Sequence, residues 1–149
     1  MTGTVGLVLV AVALSGLTLG GYAWRLTRID PALPDRLIGE LRLAQLGAVV
    51  LAVTAGSWIG LAISANPDPL ANVDVTLGLG YVVLAVIVLQ LDPRQALLTL
   101  ALAFVLHALI DIAHRPGWLS ATLAPRPFIV GCAAYDVYVA AICFWARRR

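Results

Sequence analysis

Five stretches of apolar residues, at about 3–24, 40–64, 73–91, 95–114 and 127–146, alternate with short polar breaks. Each stretch is near the ~20 residues that a helix needs to cross the hydrocarbon core of a bilayer. The breaks carry the punctuation that ends helices: Asp30-Pro31 to Pro34-Asp35, Asn66-Pro67-Asp68-Pro69, Asp92-Pro93-Arg94, and Arg115-Pro116-Gly117 through Pro125-Arg126-Pro127. The pattern predicts an all-α integral membrane bundle of five transmembrane helices, residues 1–149 forming one domain. The third break is so short that segments three and four are expected to form an antiparallel hairpin.

Composition agrees with this reading. Hydrophobic residues make up 61% of the chain and charged residues 12%, with a mean hydropathy of +0.94, against ~45–50% and ~25% for soluble domains. Little of the chain is left for a soluble catalytic module, so any chemistry belongs in or beside a membrane. The net charge of +2 comes from arginines near segment ends, with no continuous basic face to support nucleic-acid binding. The first segment has no basic residues ahead of its apolar run and is followed by Arg25 and Arg28, which reads as a retained helix and not a secretory leader. With the N-terminus outside and the C-terminus cytoplasmic, eight arginines lie inside (Arg25, Arg28, Arg36, Arg42, Arg94, Arg147, Arg148, Arg149) and two outside (Arg115, Arg126), as the positive-inside rule prefers. The expected location is the cell membrane, as a multi-pass protein. Trp24, Trp58, Trp118 and Trp145 lie near span ends, as interfacial anchors do.

Segment two carries Ala44, Ala48, Ala52, Gly56, Gly60 and Ser64 at a spacing of four, and segment one carries Gly16 and Gly20. Small residues so spaced let another backbone approach, whether from the same chain, a second copy or another subunit. Cys132 and Cys143 are eleven residues apart in one segment, about 16 Å along a helix, too far to bond to each other.

The candidate chemistry is in segments four and five. His107, Asp111 and His114 fall within about 60° of helical arc, so they project from one face. Asp136, in the middle of segment five, is expected at the depth of His107 and in contact with it, with Asp74 close enough to join. Ionisable residues at membrane depth are costly and usually face a bundle interior or a wet cavity. Three readings fit. His107, Asp111, His114 and Asp136 could hold a divalent metal, zinc, iron or manganese. Alternatively, His107, Asp111 and Asp136 could serve as a catalytic acid/base group acting on a lipid or isoprenoid. The third reading is structural: Asp111 pairs with Arg115, His114 rests in the headgroup region, and His107 locks to Asp136. Glu40 and Arg42 are expected in the interface, Gln90 in the short turn, and Tyr135 and Tyr138 as core aromatics or site wall.

The last 45 or so residues, with His107-x-x-x-Asp111-x-x-His114 followed by Gly131-Cys132-Ala133-x-x-Asp136 and the closing stretch to Trp145, resemble a small bacterial family of uncharacterised integral membrane proteins, a domain of unknown function. In that family a Trp often follows the first histidine, whereas Ala108, Leu109 and Ile110 stand here. The spaced His and Asp residues also look like those of zinc-binding membrane hydrolases such as the ceramidase-like superfamily, which have more spans and more ligands. The first resemblance implies a family and no activity, and the second implies zinc-dependent hydrolysis. The polar residues themselves lead to the expectation of a membrane enzyme with membrane lipids as partners. A transporter or ion-conducting subunit, and a structural subunit docking through segment two, are the alternatives. A relay would need polar residues continuing inward, and 96–104 and 139–145 offer almost none.

Overall fold

The computed structural model describes residues 2–64, 70–114, 119 and 124–148, with side chains of the first helix described from residue 10. Five helices make up the described chain: α1 (Thr2–Leu26), α2 (Pro34–Ser64), α3 (Ala71–Val88), α4 (Pro93–Ala113) and α5 (Arg126–Arg148). Arg115, Trp118 and Arg149, which figured in the expectations above, lie outside the described residues.

Among the described residues, four helices, α2 to α5, are long and apolar enough to cross a membrane, one fewer than expected. The described side chains of α1 include Ser15, Thr18, Gly20 and Gly21. The four long helices are apolar on their outward as well as their inward faces: Val53, Val83, Leu106 and Val130 are each more than half exposed. Such all-round hydrophobicity suits helices surrounded by lipid. Hydroxyls at that depth must satisfy themselves, and Thr54 does so by donating to the Val50 carbonyl at 2.9 Å.

α2 begins at Pro34, six residues before the apolar run at 40, because proline at a first helical position and Asp35 in the first turn start a helix well. The charged turn looked like a loop in sequence; it is the helix's own beginning. α4 starts as its sequence predicts, with the Asp92 carboxylate accepting from the Gln95 N–H at 3.1 Å ahead of Pro93.

α3 packs along α2, and α4 along α5, with α2 central and α1 against α5 and α2. α3 and α4 are joined by a tight turn, as expected, yet they meet over much less of their length. Gly78 draws α3 onto α2: a Cβ there would lie 2.5 Å from the Ile59 side chain and 3.3 Å from the Ala55 carbonyl. A small cavity occupies the space where α3 leans away from α4.

The small-residue ridge of α2 does not act as one seam. Ala44 and Ala48 are buried, whereas Gly56 and Gly60 face open space. Each step of four overshoots a full turn by about 40°, so a strict four-residue ridge winds around the helix. Gly16 and Gly20 find their partner within the chain, on Tyr138 of α5, whose hydroxyl donates to the Gly16 carbonyl at 3.0 Å. A Cβ on Gly20 would run into that hydroxyl, while one on Gly21 would meet nothing. Gly20→Val is therefore expected to cost about 1–3 kcal/mol by overpacking, and Gly21→Val to stay within about 0.5 kcal/mol, measured by unfolding in detergent.

Candidate functional site

Buried ionisable side chains gather at the two ends of the bundle. Between them the core is Leu51, Leu97, Leu100, Phe104 and Val139, all fully buried.

At one end, α4 presents His107 and Asp111 one turn apart, and α5 brings Asp136 to the same level. His107 Nδ1 lies 2.7 Å from Asp136 Oδ2 and 3.6 Å from Asp111 Oδ1. All three residues are buried, with exposures of 4%, 1% and 0%. The expected His107–Asp136 contact is thus present. Both Asp111 oxygens and Asp136 Oδ1 have no hydrogen-bond partner among the described residues, an expensive state for buried carboxyl oxygens. One ligand atom from each of the three residues lies within 4.8 Å of the other two. A tetrahedral ion with bonds of about 2.0–2.1 Å sets its ligands about 3.4 Å apart, so modest side-chain rotation would close the group around one.

His114, the fourth residue expected here, is engaged elsewhere. Its Nδ1 lies 2.9 Å from the Ile110 carbonyl and its Nε2 2.9 Å from Asp74 Oδ1. A carbonyl only accepts, so Nδ1 carries a proton. The ring stacks on Trp58 at 4.8 Å. Both residues are buried within the bundle, His114 6% and Trp58 5% exposed. Asp74 does join the neighbourhood, through His114.

The cavity between α3 and α4 has room for about one water molecule, near 10 Å³, and is lined by Tyr81, Trp58, Asp74, His107, Asp111 and His114 among others. Tyr81 packs edge-on against the His107 ring at 4.9 Å. Its hydroxyl is buried and has no hydrogen-bond partner among the described residues. Tyr81 and Trp58 line the cavity, while Tyr135 and Tyr138, expected as core aromatics or site wall, find partners for their hydroxyls outside it. Those two turn toward α1, Tyr135 to the Ser15 hydroxyl at 2.7 Å and Tyr138 to Gly16. A signal for Tyr81 was present, since Asp74, Gly78 and Tyr81 repeat on α3 the spacing of His107, Asp111 and His114 on α4. Cys132 and Cys143 are both free thiols.

At the other polar end, Glu40, expected with Arg42 in the interface, is buried in the bundle, while Arg42 is exposed. Arg36 Nε donates to Glu40 Oε1 at 2.8 Å, with both side chains 1% exposed. The other arms of Arg36 donate to the carbonyls of Leu26, at the end of α1, and Ala146, near the end of α5. Arg94, from the start of α4, reaches Glu40 Oε2 at 3.4 Å and is itself largely exposed. One guanidinium therefore ties the last turns of two helices together, as a second donor to the Leu26 carbonyl beside the Ile29 N–H at 3.1 Å and as a donor to the Ala146 carbonyl.

Comparison with protein-family models, curated proteins and solved structures finds no match to this chain. Function must be argued from the two polar ends themselves.

Proposed function

We propose that this is a multi-pass membrane protein whose His107–Asp111–Asp136 group binds one divalent transition metal, zinc, iron or manganese, and acts as an enzyme on the polar group of a lipid or isoprenoid substrate. The observation that carries the reading is the set of orphaned carboxylate oxygens in a buried group of three ligand-bearing side chains. Without a cation the group holds two carboxyls and one imidazole away from water. A divalent ion bound by neutral His107 and two carboxylates brings the total to zero and gives the bare oxygens a partner.

Three protein ligands also leave a coordination position open, as catalytic sites do. A bound ion there supplies Lewis-acid activation of water or of an ester or phosphoryl oxygen. Asp136 orients His107, Tyr81 offers a free hydroxyl to a substrate oxygen beside it, and Trp58 limits access to water. The apolar outward faces of the helices suit a substrate that arrives laterally through the lipid. On the topology expected from the arginines, the site opens toward the outer leaflet. A proton- or ion-conducting role is less well supported, since the core between the two polar ends is wholly aliphatic and aromatic.

Elemental mass spectrometry of protein purified in mild detergent without chelator tests the reading. About one equivalent of metal is expected in the wild type and almost none in His107→Ala or Asp136→Ala. His114→Ala is expected to keep its metal, because His114 is committed to Asp74. Absence of metal from the wild type would overturn the metal centre and leave an acid/base pair or a helix lock.

A further inference from the structure

α4 and α5 meet along a seam whose register is fixed at two places. His107 contacts Asp136 at 2.7 Å. Two turns further along, a Cβ on Gly47 of α2 would lie 2.8 Å from the Leu100 side chain and 3.8 Å from the Cys143 sulfur, so Leu100 and Cys143 are neighbours there. The step from His107 back to Leu100 on α4 equals the step from Asp136 forward to Cys143 on α5. The two helices therefore run antiparallel in one constant register, with Phe104 and Val139 fully buried between these contacts. One turn in the opposite direction, the same register sets Cys132 of α5 at the level of Asp111 of α4, because each is four residues from a partner in the His107–Asp136 contact.

The thiol is where that register predicts. It lies within electrostatic reach of both Asp111 and Asp136, and Asp111 acts on it the more strongly although Asp136 is on its own helix. Asp111 is 1% exposed, and neither of its oxygens has a hydrogen-bond partner among the described residues. Cys143, on the same seam, is buried among apolar side chains, whereas Cys132 is half-buried at the edge of the polar group. Two pairs of ligand-bearing residues, His107 with Asp111 and Cys132 with Asp136, thus face each other across the α4–α5 seam.

We propose that Cys132 is a fourth ligand of the metal centre and that the ion bound there is zinc in preference to manganese. The inference rests on the metal reading of the His107–Asp111–Asp136 group and narrows it. The ligand atoms of those three residues lie within 4.8 Å of one another, and the sulfur stands outside that spacing, so it joins by rotation about its Cα–Cβ bond. Binding releases the thiol proton to solvent, since a coordinating cysteine is a thiolate. The added negative charge falls at the half-exposed edge of the site, where water screens it better than in the interior. Thiolate, imidazole and carboxylate are all zinc ligands, whereas a thiolate is a poor partner for manganese, which favours oxygen. A substrate oxygen then enters as a fifth ligand, an expansion that catalytic zinc tolerates.

Cobalt(II) is the probe, because it takes zinc's place and reports its ligands in its absorption spectrum. Chelator-stripped wild type, Cys132→Ser and Cys143→Ala are titrated with cobalt in mild detergent. Wild type and Cys143→Ala are expected to show visible ligand-field bands together with a near-ultraviolet thiolate-to-cobalt charge-transfer band. Cys132→Ser is expected to keep the visible bands, lose the charge-transfer band and bind zinc at least on the order of 10-fold more weakly, a loss that removal of even an outer-shell partner brings. Its preference for zinc over manganese should fall as well. Cys132 is only partly buried, so the metal-free serine variant should unfold at the wild-type temperature. Visible bands without a charge-transfer band in the wild type would overturn the role of Cys132 and leave the three-ligand centre standing. So would a charge-transfer band that survives in Cys132→Ser, or an unchanged zinc-to-manganese preference in that variant. No cobalt binding by the wild type would overturn the fourth ligand and the metal centre together.

Discussion

Arg36→Met is expected to destabilise the protein by about 3–5 kcal/mol, the largest single loss predicted for any side chain here. The residue is 1% exposed and makes three bonds at once: to Glu40, to the end of α1 and to the end of α5. Methionine fills much of the volume but leaves Glu40 as a buried carboxylate whose nearest remaining cation, Arg94, is at 3.4 Å and largely in water. It also leaves the Ala146 carbonyl without this donor and the Leu26 carbonyl with only the Ile29 N–H, at 3.1 Å. Adding Glu40→Leu to Arg36→Met removes the stranded charge and should recover part of the loss. The bonds from Arg36 to the Leu26 and Ala146 carbonyls are still missing, so recovery should be incomplete. Steric trapping or denaturant unfolding in detergent gives the numbers. If the double variant is less stable than the single one, the Glu40 charge is not the main cost and this account fails.

Asp111→Leu is expected to act in the opposite sense. It should abolish metal retention while leaving the metal-free protein as stable as wild type or more stable by about 1–3 kcal/mol. The reason is that both Asp111 oxygens are buried without a hydrogen-bond partner among the described residues, and replacing an unsatisfied buried polar group by an apolar one of similar size relieves its desolvation. Stability withheld at a functional site is common where a binding group must be kept ready. The comparison to make is chelator-treated wild type against chelator-treated variant, with metal content measured before treatment. A loss of several kcal/mol in Asp111→Leu would show that the carboxylate holds α4 and α5 together, and would return the group to a structural role.

These two residues also show how far the sequence could be read. Asp111 was identifiable because an ionisable side chain in the middle of an apolar run has few ways to be tolerated, and each is informative. Arg36 and Glu40 escaped notice because charged residues at the start of a helix ordinarily sit in water. Nothing in their own segment announces that two other helix ends close over them. The partners of His114 were not legible either: proximity to a span end gave no hint that Asp74 of α3 and Trp58 of α2 pack against it. The His107–Asp136 contact was legible, since segments adjacent in sequence were expected to run antiparallel and to bring the two residues to similar depth.

The sequence by itself determined the helical elements, the apolar character of four helices long enough to cross a membrane, and the candidate residues on the His/Asp face of α4 and in α5. These follow from periodicity, run length and the cost of burying charge, all of which are local. Only the tertiary structure decided that α3 leans on α2 and opens the cavity at Tyr81, that His114 belongs to Asp74, and that Arg36 binds the ends of α1 and α5 together. Those outcomes depend on which helix packs against which, and that is set by close approaches such as Gly78 on Ile59 and Gly16 on Tyr138, between residues that no local pattern pairs.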